Sequence, residues 1–583
     1  MDTKIKNRLS LRNGGGTWLA WLLFAAASLL ITAILAKTRV IYFYSDWGFH
    51  ANRVEELYQN LKTGHWFTFI SARYFTNSGA GSFLFYPIIF FYPWALLRFI
   101  LSPVAAFYGW YALLTFVTLV TSYWSMRAFT CKTNGWSWRS FAFAMLYTFN
   151  AYRLYLGTAV FGEFIAVSFL PIVFLGAYEI FWGDYSNWWH LALGGTLLFY
   201  SHLLSVVITS EFLVVLVVIK LITSRKFELV RLRALLCSGL VACGLSLGRL
   251  IPYLTDYVGQ HIFSAYPGIG ISTTISQIVT TSLTNGLFYG VGFVLMAGLL
   301  LGWVLISNGK ELTLFILAWL ALVLATTLFP WSKVGQTSFG MVQLTFRYLA
   351  YTALFASALL ALFVGRLKLK EGSWLFESHV VGQIIAAVAI TGLFVIIGAL
   401  NLSPVRNTTA PYLAKPTTDD AVLFDTVRVD SRNYNQIFSY LIKYGEYDYY
   451  PIVARGTIAP DGISPTSQSI VHHLVEINGK NKVVKPTASA NALTFKLNLK
   501  KPATVNLPVV AYRHTVVMVN GKTRSFKLSK RATPQLKLKA GSQRVTVTYR
   551  PSAWYWIGLV VSICSWGALV VWRIKTRFGS NQF

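Results

Sequence analysis

Charge is what this 583-residue sequence has least of: 12% of its residues are Asp, Glu, Lys or Arg, about half the roughly 25% of soluble globular domains. Acid is the scarcer sign, 21 Asp and Glu against 51 Lys and Arg, for a formal net charge of +30. Cysteine occurs four times, as Cys131, Cys237, Cys243 and Cys564, in or beside apolar runs and never as CxxC. That argues against a disulfide framework and against a cysteine-rich metal site. There is no Walker loop, no HExxH and no G-x-S-x-G, so P-loop ATP hydrolysis, zinc proteolysis and serine-esterase chemistry have no support. Internal repeats, low-complexity tracts and heptad arrays are missing too.

What is there is apolar: 55% of residues are hydrophobic and 16% aromatic. Several runs approach the roughly 20 residues needed to cross a bilayer, which makes the chain a polytopic α-helical membrane protein. In that setting the positive charge reads as loops held against anionic headgroups rather than as a nucleic-acid surface. Twelve spans are expected, at about 17–36, 104–126, 139–156, 160–181, 188–204, 206–222, 232–250, 286–306, 311–329, 346–364, 380–400 and 553–572. The first is too long for a signal peptide and lacks a small-residue cleavage site, so it reads as an anchor.

The segment 83–101, FLFYPIIFFYPWALLRFIL, is apolar enough to cross as well. Basic clusters at Lys4/Lys6/Arg8/Arg12, Arg127/Lys132/Arg139, Arg225/Lys226/Arg231/Arg233, Arg366/Lys368/Lys370 and Arg573/Lys575/Arg577 decide against it. With 83–101 left outside, all five clusters fall on the cytoplasmic side; if it crossed, every later cluster would be misplaced. Pro87 and Pro93 also disfavour one continuous helix. Both termini are therefore expected in the cytoplasm, with 37–103 as one long outer loop.

Three domains follow: residues 1–401 as a transmembrane domain, 402–551 as an extracellular β-rich insert, and 552–583 as a final span with a basic tail. The insert alternates polar and apolar residues in LTFKLNLK (493–500) and RVTVTYR (544–550), the period of half-buried strands. Asn478-Gly479 and Asn520-Gly521 lie between such runs, as hairpin turns require. A basic β-sandwich is the expectation.

The outer loop begins YSDWGFHANRVEELYQNLKTGHW, residues 44–66. At 100° per residue, Trp47, Val54, Leu57, Tyr58 and Leu61 share one face, and Asn52, Glu55, Glu56 and Gln59 the other. This predicts an amphipathic helix on the membrane surface, its charges solvated, ended by Gly64. Asp46, His50 and Arg53 line the border between the faces. Two readings stand for them: Ser45 or Asp46 caps the helix while His50 fills space, or Asp46 points into a cavity between spans. Arg153, Glu163, His202, Arg249, Asp256, Gln343 and Arg347 fall at the same outer level by the topology above. Each has a structural alternative: Arg249 or Arg347 snorkelling, Glu163 capping, His202 in a packed core. Ionisable groups at a membrane rim are functional candidates by default. Two carboxylates with arginines suit transfer from a phosphate-bearing lipid, a carboxylate taking the acceptor's proton and Arg holding the leaving phosphate.

The segments SDWGFHANRVEELYQNLKTGHW, SFLFYPIIFFYPWALL, YRLYLGTAVFGEFIAVSFLPIVFLG and QLTFRYLAY resemble bacterial YfhO-type membrane proteins. They are also similar to the domain labelled "6-pyruvoyl-tetrahydropterin synthase-related", though no pterin-synthase metal site is visible. The layout, a first span, a long outer loop with an early Asp and surface helices, then many spans, resembles the GT-C superfamily of polyprenyl-phosphate-sugar glycosyltransferases. The resemblance implies a GT-C-like transmembrane domain in a bacterial plasma membrane, working on its outer face. A sugar would pass from a polyprenyl-phosphate donor to an anionic cell-envelope acceptor, such as teichoic acid or another surface glycan. By the resemblance Asp46 matches the acidic residue of the first outer loop, a base or a metal contact; the expectation is that it acts as base, with Glu163 or His50 assisting. Arg249 and Arg347 correspond by location to the lipid-phosphate contacts, with Arg153, Gln343 and His202 as further substrate contacts. Many such enzymes pair two acids in this loop, whereas Asp46 is followed by Trp47; no metal ligands are assigned, and a divalent cation is left open. Two rivals stay open: a transporter or lipid flippase, and a non-catalytic partner that binds envelope polymer.

Overall fold

The computed structural model describes residues 15–130, 136–225, 228–262, 273–366, 380–418, 421–423, 426–442, 445–456 and 464–579. Lys4, Lys6, Arg8, Arg12, Lys132, Lys226, Lys368, Lys370 and Cys131, used above, lie outside these. The chain separates into two compact units that do not follow sequence order. One takes 1–40, 104–240 and 266–409; the other takes 41–103, 241–265 and 410–583. Residues 41–103 thus group with 241–265 and the C-terminal region.

Among the described residues, seven helices are long and apolar enough to cross a membrane: Thr17–Ala36, Pro103–Phe129, Leu203–Ser224, Leu229–Tyr257, Thr345–Val364, Val381–Asn401 and Ala553–Thr576. The other expected spans are shorter or broken, and the cause is local. At 139–156 the chain makes Trp138–Thr148 and then Ala151–Ala159. Asn150 starts the second piece, its side chain accepting from Arg153 N at 2.9 Å. At 160–181, Phe161–Ala166 is followed by Leu170–Phe181, with Pro171 in the first turn, where its missing N–H is no loss. Windowed hydropathy sees apolar composition here and is blind to these caps. The segment 83–101 is likewise short pieces, Ser82–Phe85, Ile89–Phe91 and Tyr92–Leu97, as its two prolines require.

In the second unit, ten strands between Leu474 and Tyr549 form a sandwich. One sheet runs, in spatial order, Lys522–Arg524, Thr515–Val519, Gly541–Tyr549, Ala492–Leu499 and Thr487–Ser489. The other runs Lys527–Leu528, Pro534–Leu538, Ala503–Asn506, Leu474–Ile477 and Lys480–Val483. Leu493, Phe495, Leu497, Val545 and Val547 from the first meet Val475, Val505, Leu536 and Leu538 from the second in a buried core. Both Asn-Gly pairs are hairpin turns, with φ 47° and 80° at Asn478-Gly479 and 48° and 82° at Asn520-Gly521. Positive φ at both central positions matches the twist of the flanking strands. The sandwich is narrower than the expected insert: the described residues between 402 and 473 form short helices and two-stranded pieces instead. The final helix, Ala553–Gly579, packs on the same unit's part of Leu229–Pro252 through small residues. A Cβ on Gly248 would come within 3.1 Å of Leu559 Cα, and Ser562 Oγ donates to Leu245 O, the close approach typical of membrane helices.

The helix Trp47–Lys62 corrects the reading of a solvated surface helix: Asn52, Arg53, Glu55, Glu56 and Asn60 are buried. Its polar side is covered by the segment that follows. Glu56 Oε2 accepts from Ser71 Oγ at 3.1 Å, Arg73 N at 2.7 Å and Tyr74 N at 3.0 Å. Asn60 Nδ2 donates to Thr68 Oγ1 at 3.0 Å, and Asn52 Oδ1 accepts from Phe75 N at 3.3 Å. Glu55 pairs with Arg98 at 3.2 Å. Glu56→Ala strands those donors without an acceptor and is expected to lower stability by about 2–4 kcal/mol, read as thermal unfolding of the purified protein. A loss under about 1 kcal/mol would mean that this face is not held as described.

Candidate functional site

Asp46 stands where the outer loop turns into the helix Trp47–Lys62. The strand Ile41–Phe43 pairs antiparallel with Val427–Val429, then Ser45 takes a left-handed φ of 54° and redirects the chain. Asp46 holds the N-cap position, yet its side chain makes no capping hydrogen bond. The capping role open to it from sequence is not used, and the residue is half-buried.

A second carboxylate is brought to it from far along the chain. Gly48 allows the approach: a Cβ there would lie 2.5 Å from Ile442 Cγ2. Gly445, at φ 104°, lies against the Phe49 ring, where a side chain would collide. Glu446 then pins the turn, Oε1 accepting from Thr76 Oγ1 at 3.0 Å and Oε2 from Ile442 N at 3.2 Å. Two residues on is Asp448. Tyr449 after it is left-handed at φ 66°, as Ser45 before Asp46 is at 54°; non-glycine residues hold this region only where the surroundings impose it. By accessible surface Asp448 is half-buried, but protein surrounds it closely. That desolvation raises its carboxyl to about 7, with Arg455 opposing and the charge of Asp46 adding to the rise. Asp448 thus lies near enough for the charge of Asp46 to act on it. The only trace of this in sequence is GEYDYYP at 445–451, two acids among tyrosines in a basic insert.

Arginines surround this part of the unit. Arg53 is wholly buried, donating to Tyr86 O and Pro87 O at 2.8 Å each. It lies over the rings of Tyr86 at 4.9 Å and Phe49 at 5.1 Å. Burial lowers it to about 9, with Tyr86 opposing, so it remains a cation at neutral pH. Arg249 donates to Phe83 O at 3.0 Å and Leu84 O at 2.7 Å, where a cation meets the free carbonyls of Ser82–Phe85. His50 is fully buried, stacked on Phe91 with centroids 4.7 Å apart.

The remaining candidates gather in the other unit. Glu163 accepts from the Tyr152 hydroxyl at 2.8 Å and pairs with Arg347 at 3.5 Å. Arg347 also donates to Val342 O at 2.9 Å and Gln343 Oε1 at 3.1 Å. His202 Nδ1 lies 2.9 Å from Ser205 Oγ. Arg153 is buried, donating to Thr118 Oγ1 at 2.9 Å and lying 4.6 Å from the Phe164 ring centroid. Among the described residues no group of three or more His, Cys, Asp and Glu is gathered as a metal site.

Glu446 is also raised by burial to about 7, against which the hydrogen bonds from Ile442 and Thr76 work. Both carboxyls thus bind a proton more tightly in the folded state than in the unfolded chain, where the values are about 4. Folded protein therefore holds more protons between those limits, and stability falls as pH rises from about 4 through about 7. The double variant Glu446→Gln/Asp448→Asn is expected to flatten that slope in unfolding measured across this range; an unaltered slope would contradict it.

No protein-family signature matches the chain, and a search of curated proteins found no match. Among solved structures it is similar to ArnT from Cupriavidus metallidurans bound to undecaprenyl phosphate, at 12% identity and a TM-score of 0.46, over 80% of this chain and 92% of that one. It is also similar to the arabinofuranosyltransferase AftD from mycobacteria, at 13% identity and a TM-score of 0.45. That likeness covers 93% of this chain and 40% of the AftD chain.

Proposed function

We propose that this protein is a membrane glycosyltransferase that moves a sugar from a polyprenyl-phosphate donor to a cell-envelope glycan, such as teichoic acid, on the outer face of the membrane. The observation that carries the reading is the pairing of Asp46 with Asp448, two carboxylates in one unit, one of them raised to about 7 by burial. Burial, with the charge of Asp46 adding to it, brings the Asp448 carboxyl near neutral pH, the range that suits proton exchange beside a reacting hydroxyl.

In the proposed reaction an acceptor hydroxyl loses its proton to Asp46 as its oxygen bonds to the anomeric carbon. The bond from that carbon to the donor phosphate oxygen breaks, and polyprenyl phosphate leaves with the electron pair. Asp448 tunes the charge of Asp46, and Arg455 beside it, with Arg249, supplies positive charge for the leaving phosphate. Asp46 and Asp448 are the residues that would hold a divalent cation, which would supply Lewis-acid stabilisation of the leaving phosphate. The basic sandwich would hold the anionic acceptor.

A second reading has its own support: broken helices around the buried Glu163, Arg347 and Arg153 are also the features of a transporter or lipid flippase. Mass spectrometry of envelope glycans separates these. Loss of the protein should remove one sugar substituent, and the wild-type chain should restore it. Asp46→Asn, present at normal level, should not, and Asp448→Asn should slow transfer by about 10²-fold or more. Full restoration by Asp46→Asn would sink the enzymatic reading and favour a non-catalytic polymer-binding partner. Acceptor-independent lipid movement in proteoliposomes would favour the transporter.

A further inference from the structure

The first unit contains a cavity of about 710 Å³ that takes no part in the reaction above. It opens among the helices Pro103–Phe129, Leu170–Phe181, Leu203–Ser224, Gly309–Leu324 and Leu349–Val364. Its depth is apolar, formed by Phe143, Pro171, Phe174, Leu175, Phe355 and Ala358. Its mouth is polar, with Tyr178, Thr223, Asn308 and Lys310. The Glu163–Arg347 group lies toward the other end of these helices: Arg347 just precedes Leu349–Val364, and His202 just precedes Leu203–Ser224. The cavity residues on the latter helix begin at Leu216.

Among the described residues, Lys310 is the one charged residue in the cavity lining. Lys310 lies 4.9 Å from the Tyr178 ring centroid and 5.9 Å from that of Phe129, with its ammonium on the Tyr178 hydroxyl. No carboxylate is among the lining residues. The nearby Glu311 is occupied by Arg366 at 2.8 Å and by Ser307 N at 2.8 Å. Arg231 closes the same end, donating to Ile180 O at 2.8 Å and pairing with Glu228 at 3.1 Å. An apolar hole of this size falls in the range that buries a small amphiphile, and a cation resting on aromatic rings at its rim awaits an anion.

We infer that this cavity binds an anionic glycerophospholipid, one acyl chain in the Phe174–Phe355 hole and the phosphate at Lys310 and Tyr178. Arg127, Arg231 and Arg366 all lie at this end, which the positive-inside rule assigns to the cytoplasmic leaflet, where anionic phospholipid is concentrated. The site is therefore separate from the donor proposed for the outer face, and it stands or falls independently of that reading.

Native mass spectrometry of the full chain, released from nanodiscs of equal phosphatidylglycerol and phosphatidylcholine, tests this. Wild type should retain phosphatidylglycerol over phosphatidylcholine by roughly 10-fold, the equivalent of one charge-assisted contact. Lys310→Gln, a change at an exposed side chain, should abolish the preference. Ala358→Trp should remove retention of either lipid. Equal retention of the two lipids by wild type, or an undiminished preference in Lys310→Gln, would overturn the assignment. So would preferential retention of polyprenyl phosphate when it is added in equal amount. If Ala358→Trp is not monodisperse, the Lys310→Gln comparison decides alone.

Discussion

The structure of the second unit depends on one constraint: the polar face of the helix Trp47–Lys62 is buried and has to find its hydrogen bonds within the protein. A buried carboxylate without partners costs several kcal/mol. Glu56 escapes this only because Ser71, Arg73 and Tyr74 point their donors at it. That fold-back places Phe75, Thr76 and Asn77, all at φ near 50°, where Thr76 can meet Glu446. Glu446 in turn fixes the turn that carries Asp448. The position of the acid pair is therefore the last step of a chain of backbone satisfactions that begins on a helix face.

The same reasoning explains why the outer loop and the C-terminal region fold as one unit. Asn491 Oδ1 accepts from Phe69 N at 2.6 Å, and its Nδ2 donates to Phe67 O at 2.8 Å, filling the place of a strand partner. Gly81 N donates to the Tyr512 hydroxyl at 2.7 Å, which itself donates to Tyr449 O at 3.0 Å. Ser78 O receives Val510 N at 2.8 Å. The irregular backbone of 67–81 has little secondary structure of its own, so its polar groups draw on the sandwich. An outer loop arranged in this way is built by the domain that lies hundreds of residues later.

Arginine is used here chiefly as a structural cation. Arg53 and Arg249 each donate from one guanidinium nitrogen to carbonyls between Phe83 and Pro87, where prolines and short helices leave acceptors free. Arg153 likewise donates to Leu114 O and Thr148 O in the first unit. An arginine at a membrane rim thus has three uses, snorkelling, phosphate binding and carbonyl satisfaction, and residue type alone does not choose among them.

The sequence by itself determined that the chain is a multi-pass membrane protein, that 83–101 is not one long helix, that a β-sandwich follows, and where two of its hairpins turn. Each rests on a local rule: apolar run length, proline at fixed positions, period-two alternation, Asn-Gly between strands. What only the tertiary structure decided are the facts that need a partner. Hydropathy does not register that Asn150 and Pro171 interrupt apolar stretches. Helical periodicity shows that Glu55 and Glu56 share a side but not whether water or Arg73 and Arg98 meets it. The pairing of Asp46 with Asp448 spans roughly 400 residues. It exists because Gly48 and Gly445 leave out side chains where two segments press together, a contact that no window along the chain contains.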